Sequence, residues 1–297
     1  MRILISGSSG LIGKNLIKNL IKNGHEVTRL VRYASTSSKN IVLIDYDNEK
    51  FNLSEFDNFD AVIHLAGENI VGRWSEKKKN NLLKSRINTT RLLVSIFKNV
   101  KNPPTHFLCA SAVGIYGNTG DVTVNENDEP GNGFLPNLAI NWEKEANNAK
   151  GFGARVVNLR IGLVLDKYDG ALSKMLTPFK FGLGGNIGDG NQYWSWISIH
   201  DIVSSIMFIL NNNQIEGPVN LVSPTSCTNR YFTKTLAGVL NRPAIFHIPA
   251  YLIKIIFGEM GEQVLLTGTK VKPNVLVQNQ YQFIDSDLEE TLRKLIN

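Results

Sequence analysis

The chain has 297 residues, of which 42% are hydrophobic and 20% charged, and its formal net charge is +6. This length and apolar content indicate a globular protein that can bury a substantial core. Basic residues are scattered along the chain apart from a run at residues 77–79, so the charge does not favour a nucleic-acid partner.

Neither the cysteines nor the apolar runs indicate export or membrane insertion. Cys109 and Cys227 cannot form a disulfide framework and have no metal-ligand spacing, and no two of the five histidines have a helical ligand spacing, so we expect no metal. The apolar start at residues 3–5 is too short for a signal sequence. No apolar run approaches the roughly 18 to 20 residues that span a bilayer. We therefore expect a cytoplasmic protein, or a stromal one in a plastid lineage, without a membrane partner.

Short runs rich in Val, Ile and Leu alternate with helical patterns through the first two-thirds of the chain. Between the first two runs, Leu16, Ile17, Leu20 and Ile21 recur at helical spacing. This alternation is typical of βαβ units and predicts an α/β fold with a doubly wound, Rossmann-type parallel sheet. The predicted strands are residues 2–6, 26–31, 41–44, 61–66, 106–110, 155–159 and 219–222.

After about residue 165 the pattern changes. A glycine-rich stretch at residues 182–190, followed by Tyr193, Trp194 and Trp196, predicts a substrate-side loop. From Asn229 onward the pattern is mostly helical. We expect a nucleotide-binding core at 1–165, a mixed region at 166–245 that completes the sheet and lines a substrate cleft, and a small, mostly helical C-terminal domain at 246–297.

The first strand runs into a glycine turn and then a helix start. Gly7 permits the turn, Gly10 lets the backbone approach a pyrophosphate, and Gly13 lets the helix pack close to the strand. The free N–H groups at the helix N-terminus suit a phosphate. The pattern predicts a dinucleotide site whose cofactor-binding residues here are Gly7, Ser9, Gly10, Leu11, Ile12 and Gly13.

The end of the second predicted strand favours NADP over NAD. An NAD site would have an Asp or Glu there for the ribose hydroxyls, whereas this chain has Val31 and Arg32. Arg32 can pair with a 2′-phosphate through charge-assisted hydrogen bonds, and the alternative is an ordinary surface arginine. Arg29 is a second candidate, although side-chain alternation along the strand could turn it away.

Three motifs together resemble the extended short-chain dehydrogenases/reductases of the NAD-dependent epimerase class: the glycine turn, residues 64–67 and residues 111–117. Residues 65–70, 159–162, 182–185 and 196–201 look more closely like an atypical subgroup called epimerase family proteins. That subgroup has a small C-terminal domain of uncharacterised function, and some members are labelled as cell-division inhibitors. The resemblance implies NADP binding without a known substrate.

The resemblance also implies further cofactor-binding residues around the strand ends. Leu65, Ala66 and Gly67 would line the adenine and ribose side of the cleft, and Arg86 would face the cofactor from the following helix. The alternative for Arg86 is a surface helix residue. His64 and Arg160 complete the expected cofactor-binding residues.

Active members of the wider family use a Ser or Thr, a Tyr and a Lys four residues after that Tyr. Here Ala112 stands at the Ser/Thr position, Phe134 or Leu135 at the Tyr position, and Leu138 or Ala139 at the Lys position. Without that pair, a proton relay would need substitutes, because an unassisted tyrosine is a poor base at neutral pH. The candidate catalytic residues are Tyr116 and Ser111, and the alternative for Tyr116 is a packing role.

His200 and Asp201 allow two interpretations. Asp201 is better explained as the N-terminal cap of the following helix than as part of an acid/base pair. His200 could face the cleft beside Trp194 and Trp196, which form either an aromatic wall for a substrate or part of the core.

The sequence as a whole predicts an NADP(H)-binding, oxidoreductase-like protein of the epimerase family with an unknown small-molecule substrate. The alternative is a non-catalytic NADP-binding regulator linked to cell division, and a nucleotide-sugar epimerase with NAD ranks last. Monomer and homodimer remain equally open. Extended relatives often dimerise through two helices, which here would begin near Leu82 and Pro136.

Overall fold

The computed structural model describes residues 1–32 and 40–297. Fifteen strands and ten α-helices lie within these ranges. The strands are β1 Arg2–Ser6, β2 Glu26–Val31, β3 Ile41–Leu43, β4 Ala61–His64, β5 His106–Ala112, β6 Thr123–Val124, β7 Arg155–Ile161, β8 Leu163–Leu165, β9 Gly185–Ile187, β10 Tyr193–Trp194, β11 Trp196–Ser198, β12 Gly217–Leu221, β13 Cys227–Thr228, β14 Phe246–Ile248 and β15 Lys270–Val271. The helices are α1 Leu11–Lys22, α2 Glu76–Leu83, α3 Thr89–Asn99, α4 Phe134–Asn147, α5 Gly170–Lys180, α6 Ile199–Asn211, α7 Asn229–Leu240, α8 Ala250–Phe257, α9 Asn274–Gln278 and α10 Leu288–Ile296.

Seven parallel strands form the central sheet in the order β12-β7-β5-β4-β1-β2-β3. The strand order reverses between β1 and β4, which is where open α/β sheets bind ligands at the carboxyl ends of their strands. All seven predicted strands are confirmed, although β4 is two residues shorter than predicted and β5 and β7 are each two residues longer. The doubly wound architecture predicted from the sequence is therefore present.

Side chains of the central strands alternate between two layers of helices. In β1, Ile3 and Ile5 belong to the hydrophobic cluster shared with α1 and α6, whereas Leu4 belongs to the cluster shared with α3. All three are fully buried. Burial on both faces explains why the strand reads as a continuous apolar run rather than as an alternating one.

A single helical run connects α2 to α3 through a π-helical turn at Lys84–Asn88. Its N-cap is Ser75, whose hydroxyl accepts a hydrogen bond from the backbone N–H of Lys78. Such π turns inside α-helices are frequent at functional sites. Arg86 lies within this turn, which follows the carboxyl end of β4.

The glycine-rich segment after residue 180 differs from the predicted loop. It contains three short strands, β9, β10 and β11, which pair with β14, β13 and β8 respectively. These pairings join the segment to elements that are distant in sequence, so local pattern did not indicate them. No helix in the described ranges has the length and apolar character to cross a membrane.

The interpretation of Asp201 as a helix cap is wrong. The N-cap of α6 is Ser198, whose hydroxyl accepts a hydrogen bond from the backbone N–H of Asp201. The fully buried Asp201 carboxylate instead accepts hydrogen bonds from the backbone N–H groups of Ile284 and Asp285 and from the Tyr281 hydroxyl. Asp201 therefore ties the C-terminal segment to the start of α6.

His200 and the two tryptophans do not form an aromatic wall. Trp196 is fully buried, and Trp194 packs against Phe232 with ring centroids 5.2 Å apart. The His200 side chain is 42% exposed, and its Nδ1 atom lies 2.9 Å from a carboxylate oxygen of Asp285. The core interpretation of the tryptophans is confirmed.

Candidate nucleotide-binding site

The turn between β1 and α1 requires glycine at two positions for reasons internal to the fold. Gly7 has a φ of +69°, and a Cβ atom there would lie 2.6 Å from the carbonyl carbon of Leu65. A Cβ atom on Gly13 would lie 2.3 Å from the carbonyl oxygen of Gly7. These close approaches pack α1 onto the turn and bring the turn against the loop that follows β4.

Gly10 has no comparable internal reason to be glycine. Its φ of −75° and ψ of 171° are accessible to any residue. The nearest heavy atom to an added Cβ is the carbonyl oxygen of Gly7, at 3.4 Å. Gly10 is also the N-cap of α1, where no side chain caps the first-turn N–H groups. An open, uncapped helix start where a side chain is missing fits the close approach of a pyrophosphate.

One arginine lies within β2 and another directly follows it. Arg29 does not turn away, as strand alternation had suggested: its Nε atom donates a hydrogen bond to the Ser8 hydroxyl, 3.1 Å away, within the glycine turn. Arg32 is exposed and directly follows β2 and Val31. The structure thus brings Arg29 to the turn itself, and Arg32 follows the strand end, where an NAD site would carry a carboxylate.

Arg86 lies against the loop after β4. A Cβ atom on Gly67 would be 3.4 Å from the guanidinium carbon, so glycine makes room for this side chain. The guanidinium donates to the carbonyl oxygen of Glu68 at 3.0 Å and stacks 5.1 Å from the Trp142 ring. Burial lowers the pKa of Arg86 to about 10, so it stays charged at neutral pH.

Within the described part of the chain, Arg86 forms no salt bridge with a carboxylate. Its hydrogen-bond partners are instead backbone carbonyls and the Ser85 hydroxyl. A half-buried cation without a bonded counter-ion attracts an anion. The contact with Gly67 places this charge beside the loop of Leu65 and Ala66, on the cofactor side expected from the sequence.

His64 does not reach the surface of the site. Its side chain is fully buried, with Nδ1 2.6 Å from the Ser6 hydroxyl. Burial lowers the pKa of His64 to about 4, so the imidazole is neutral at physiological pH. The Ser6 hydroxyl also accepts a hydrogen bond from the backbone N–H of Ala66. His64 therefore supports β1 and β4 from within the sheet, and its imidazole has no exposed atom with which to contact a cofactor.

The two candidate catalytic hydroxyls belong to a buried polar network. Ser111 donates to a Glu143 carboxylate oxygen at 2.6 Å, and Glu143 forms a bidentate pair with Arg160 at 2.9 and 3.0 Å. The Tyr116 hydroxyl accepts from Arg160 and donates to Asn220, each at 2.8 Å. Burial raises the pKa of Tyr116, which makes it a weaker acid.

The structure therefore does not bring Ser111, Tyr116 or Arg160 to an open cleft. Ser111 and Tyr116 are each 3% exposed and Arg160 is 6% exposed. All three have partners inside the protein. Sequence reasoning missed Glu143, the centre of this network. Two features of the sequence could have indicated this network. Glu143 is a charged residue on the apolar face of α4, next to Trp142, and Arg160 lies inside an otherwise apolar strand, so each needs a buried partner.

Of the alternatives at the expected Tyr and Lys positions, Leu135 and Ala139 lie near the turn after β5. Leu135 lies beside the turn after β5, because a Cβ atom on Gly114 would be 3.8 Å from Leu135. Ala139 is buried in the same region, in a cluster with Ile115 and Tyr116. Leu135 and Ala139 are four residues apart on one face of α4 and point towards that turn. Phe134 instead packs with Trp74.

No cluster of three or more His, Cys, Asp or Glu side chains in the described ranges could hold a metal ion. Lys144 is exposed and lies outside the buried face of α4. The site therefore combines a glycine turn with Arg29, Arg32 and Arg86 on the elements around it, and the apolar Leu135 and Ala139 lie near the turn after β5.

Two family models match this chain. The model of the NAD-dependent epimerase/dehydratase family matches residues 3–221, and a domain of unknown function, DUF1731, matches residues 248–295. The epimerase family protein ML0860 of Mycobacterium leprae is 37% identical over 293 residues, covering 98% of this chain and 94% of that protein. The epimerase family protein YfhF of Bacillus subtilis is 36% identical, covering 100% of this chain and 98% of that protein.

A solved structure of similar shape carries a nucleotide. The crystal structure of human epimerase family protein SDR39U1 (isoform 2) with NADPH aligns with a TM-score of 0.91 and 32% identity, covering 100% of this chain and 99% of that chain.

Proposed function

Because this chain belongs to the NAD-dependent epimerase/dehydratase family, we propose that it binds NADP(H) at the β1–α1 turn and acts as an oxidoreductase on a small molecule. The human relative of known structure was crystallised with NADPH. The cofactor-binding residues that we propose are those of the glycine turn, the end of β2, the loop after β4, and Arg86. The observation that carries the proposal is Gly10, whose missing side chain nothing in the fold requires.

The preference for NADP(H) rests on Arg29 and Arg32. Arg29 and Arg32 are both exposed, and Arg29 is hydrogen-bonded to the glycine turn through Ser8, so a 2′-phosphate at the end of β2 would have two guanidinium groups available to it. Hydrogen bonds to charged groups contribute about 1.5–3 kcal/mol each, which is roughly a 10- to 100-fold change in affinity. An acidic residue at this point would instead repel the phosphate.

The test is a fluorescence titration of the purified protein with NADPH and with NADH. We expect NADPH to bind at least tenfold more tightly, and Arg29→Ala and Arg32→Ala to weaken NADPH binding while leaving NADH binding unchanged. Arg91→Ala is the matched control, since Arg91 is exposed and pairs with Glu145 on α4. Equal affinity for the two nucleotides in the unmodified protein would contradict the preference for NADP(H).

The positions of Leu135 and Ala139 restrict the chemistry that this site can support. A bound NADPH supplies a hydride, and reduction of a simple ketone also needs a proton donor close to the developing alkoxide. Quinones and flavins accept a hydride to give a stabilised anion that takes its proton later from water. A substrate screen should therefore contain quinones and flavins beside simple carbonyl compounds, with NADPH oxidation followed by absorbance.

A second candidate function is favoured by the burial of Ser111 and Tyr116. Both hydroxyls are hydrogen-bonded inside the protein, so neither is free to transfer a proton to a substrate. A chain that binds NADP(H) without oxidising or reducing it would act as a regulator whose conformation depends on the bound nucleotide. NADPH binding without oxidation by any compound of the screen would favour this candidate. Measurable turnover that survives Ser111→Ala and Tyr116→Phe would favour an enzyme that uses neither hydroxyl as an acid.

A further inference from the structure

An exposed apolar surface covers one side of the C-terminal part of the chain. We call it the C-terminal apolar surface. Its members lie after α5, in and beside β14, and on α8. They are Phe181 (77% exposed), Leu183 (56%), Ile245 (82%), Phe246 (49%), Ile248 (38%), Tyr251 (62%), Leu252 (36%), Ile255 (64%) and Ile256 (58%).

These side chains form one surface rather than scattered exposures. The backbone N–H of Phe246 donates to the carbonyl oxygen of Gly184, so β14 lies beside the segment that carries Phe181 and Leu183. A Cβ atom on Gly182 would lie 3.5 Å from Pro243, which joins the same two segments at a second point. Pro249 links β14 directly to α8.

The size of this surface exceeds what an isolated globular chain usually leaves uncovered. At about 200 Å² for each large side chain, the nine exposed fractions amount to on the order of 1,000 Å². The largest apolar patch on a typical monomer is about 300–600 Å². One partner in a standard protein–protein interface buries about 800 Å². The surface is therefore large enough for one side of a stable interface.

We propose that a second copy of this chain covers the C-terminal apolar surface, which makes the protein a homodimer through its C-terminal region. The area favours this partner, because it matches what one side of a stable dimer interface buries. Lys254 is the one charged residue on α8, and it is paired with Glu262 at 2.8 Å. No unpaired charge therefore stands on α8 itself. Two exposed arginines lie beside the surface: Arg73 donates to the carbonyl oxygen of Ile255 at 3.4 Å, and Arg242 donates to that of Lys180 at 3.0 Å.

The helix pair through which extended relatives dimerise is unsuitable here. On α3 the outward positions include Arg91 and Ser95, and on α4 they include Asn137, Asn141 and Lys144, all exposed. Burial of such a polar face would desolvate charges and amides without an apolar gain. This polar face therefore lacks the apolar area that the C-terminal apolar surface offers.

The test is sedimentation velocity of the full chain across a range of concentrations. We expect the unmodified protein to sediment with the mass of two chains. Ile255→Lys and Ile245→Lys, at opposite ends of the surface, should shift it to one chain. Val122→Lys is the matched control, because Val122 is 66% exposed and lies outside the surface. An NADPH titration of each variant checks that the nucleotide-binding domain is folded. Loss of NADPH binding would indicate misfolding, whereas loss of the dimer with NADPH binding retained would indicate a change at the interface alone.

Two results would overturn the proposal. One is a single chain at every concentration, and flotation of that monomer with phosphatidylcholine/phosphatidylserine vesicles would then assign the surface to a membrane. The other is a dimer that persists in both lysine variants, which would place the interface elsewhere. Loss of the dimer in both variants, with the Val122→Lys control still dimeric, supports it.

Discussion

Removal of the Glu143 carboxylate should be among the most destabilising single changes outside the hydrophobic core. Glu143 and Arg160 side chains are only 10% and 7% exposed, so Glu143→Ala leaves a guanidinium buried with the Tyr116 hydroxyl as its remaining partner. Breaking a buried pair by removing one member costs about 3–5 kcal/mol. The Ser111 hydroxyl loses its acceptor as well. A loss of about 4 kcal/mol is a large part of the roughly 5–15 kcal/mol that stabilises a typical domain.

The assay is urea denaturation followed by circular dichroism, with thermal unfolding as a second measurement. We expect the midpoint temperature to fall on the order of 10 °C. Glu145→Ala is a matched control on the same helix. Glu145 is 14% exposed, but its partner Arg91 is 62% exposed, so water screens this pair and its loss should cost clearly less than loss of the Glu143–Arg160 pair. The double variant Glu143→Met/Arg160→Met should be more stable than Glu143→Ala, because it buries no unpaired charge. Equal losses for Glu143→Ala and Glu145→Ala would refute this reasoning.

Three further predictions test other parts of the structure. Gly10→Ala should leave the midpoint temperature of unfolding unchanged but weaken NADPH binding at least tenfold in a titration. Gly13→Ala should instead lower the midpoint temperature, because its methyl group would clash with the carbonyl oxygen of Gly7. Asp201→Ala should speed hydrogen exchange in residues 281–296, measured by mass spectrometry, while Glu289→Ala on the exposed face of α10 should not. Between pH 6.5 and about 4, His64 binds a proton in the unfolded chain but not in the folded one, so the free energy of unfolding should fall by roughly 3 kcal/mol as the pH falls through this range. His64→Gln should remove this part of the pH dependence, which a series of urea denaturation curves at different pH values would measure.

Local pattern predicted the sheet well because each central strand is buried on both faces. Residues 2–6 form a mostly apolar run that indicates a buried strand. The glycines of the turn that follows are required by close backbone contacts, so the glycine pattern itself indicates the turn. The short strands β9, β10 and β11 were missed, because two- and three-residue strands are defined by distant partners and have no period of their own.

The parts of the site that depend on backbone geometry could be predicted from the sequence. The hydrogen-bond partners of individual side chains could be predicted less well. The turn residues around Gly10 lie as expected, but Arg29 faces the turn although simple alternation suggested otherwise. Asp201 was assigned as a cap from its position before an apolar helix, yet its partners are 80 residues further along the chain. Hydrogen bonds between residues far apart in the sequence depend on the folded structure, and no residue spacing in the sequence indicates them.

Nucleotide binding and proton transfer depend on separate parts of this fold, which is why one can persist without the other. The turn needs only Gly7, Gly10 and Gly13, whereas the family's acid and base need two positions on α4. Ala139 is 4% exposed and packs in a cluster that includes Val271 from the C-terminal region. A lysine there would bury an ammonium group among apolar side chains, at a cost of several kcal/mol. The packing around Ala139 would therefore have to rearrange before that position could hold the lysine that the resemblance to active family members leads us to expect.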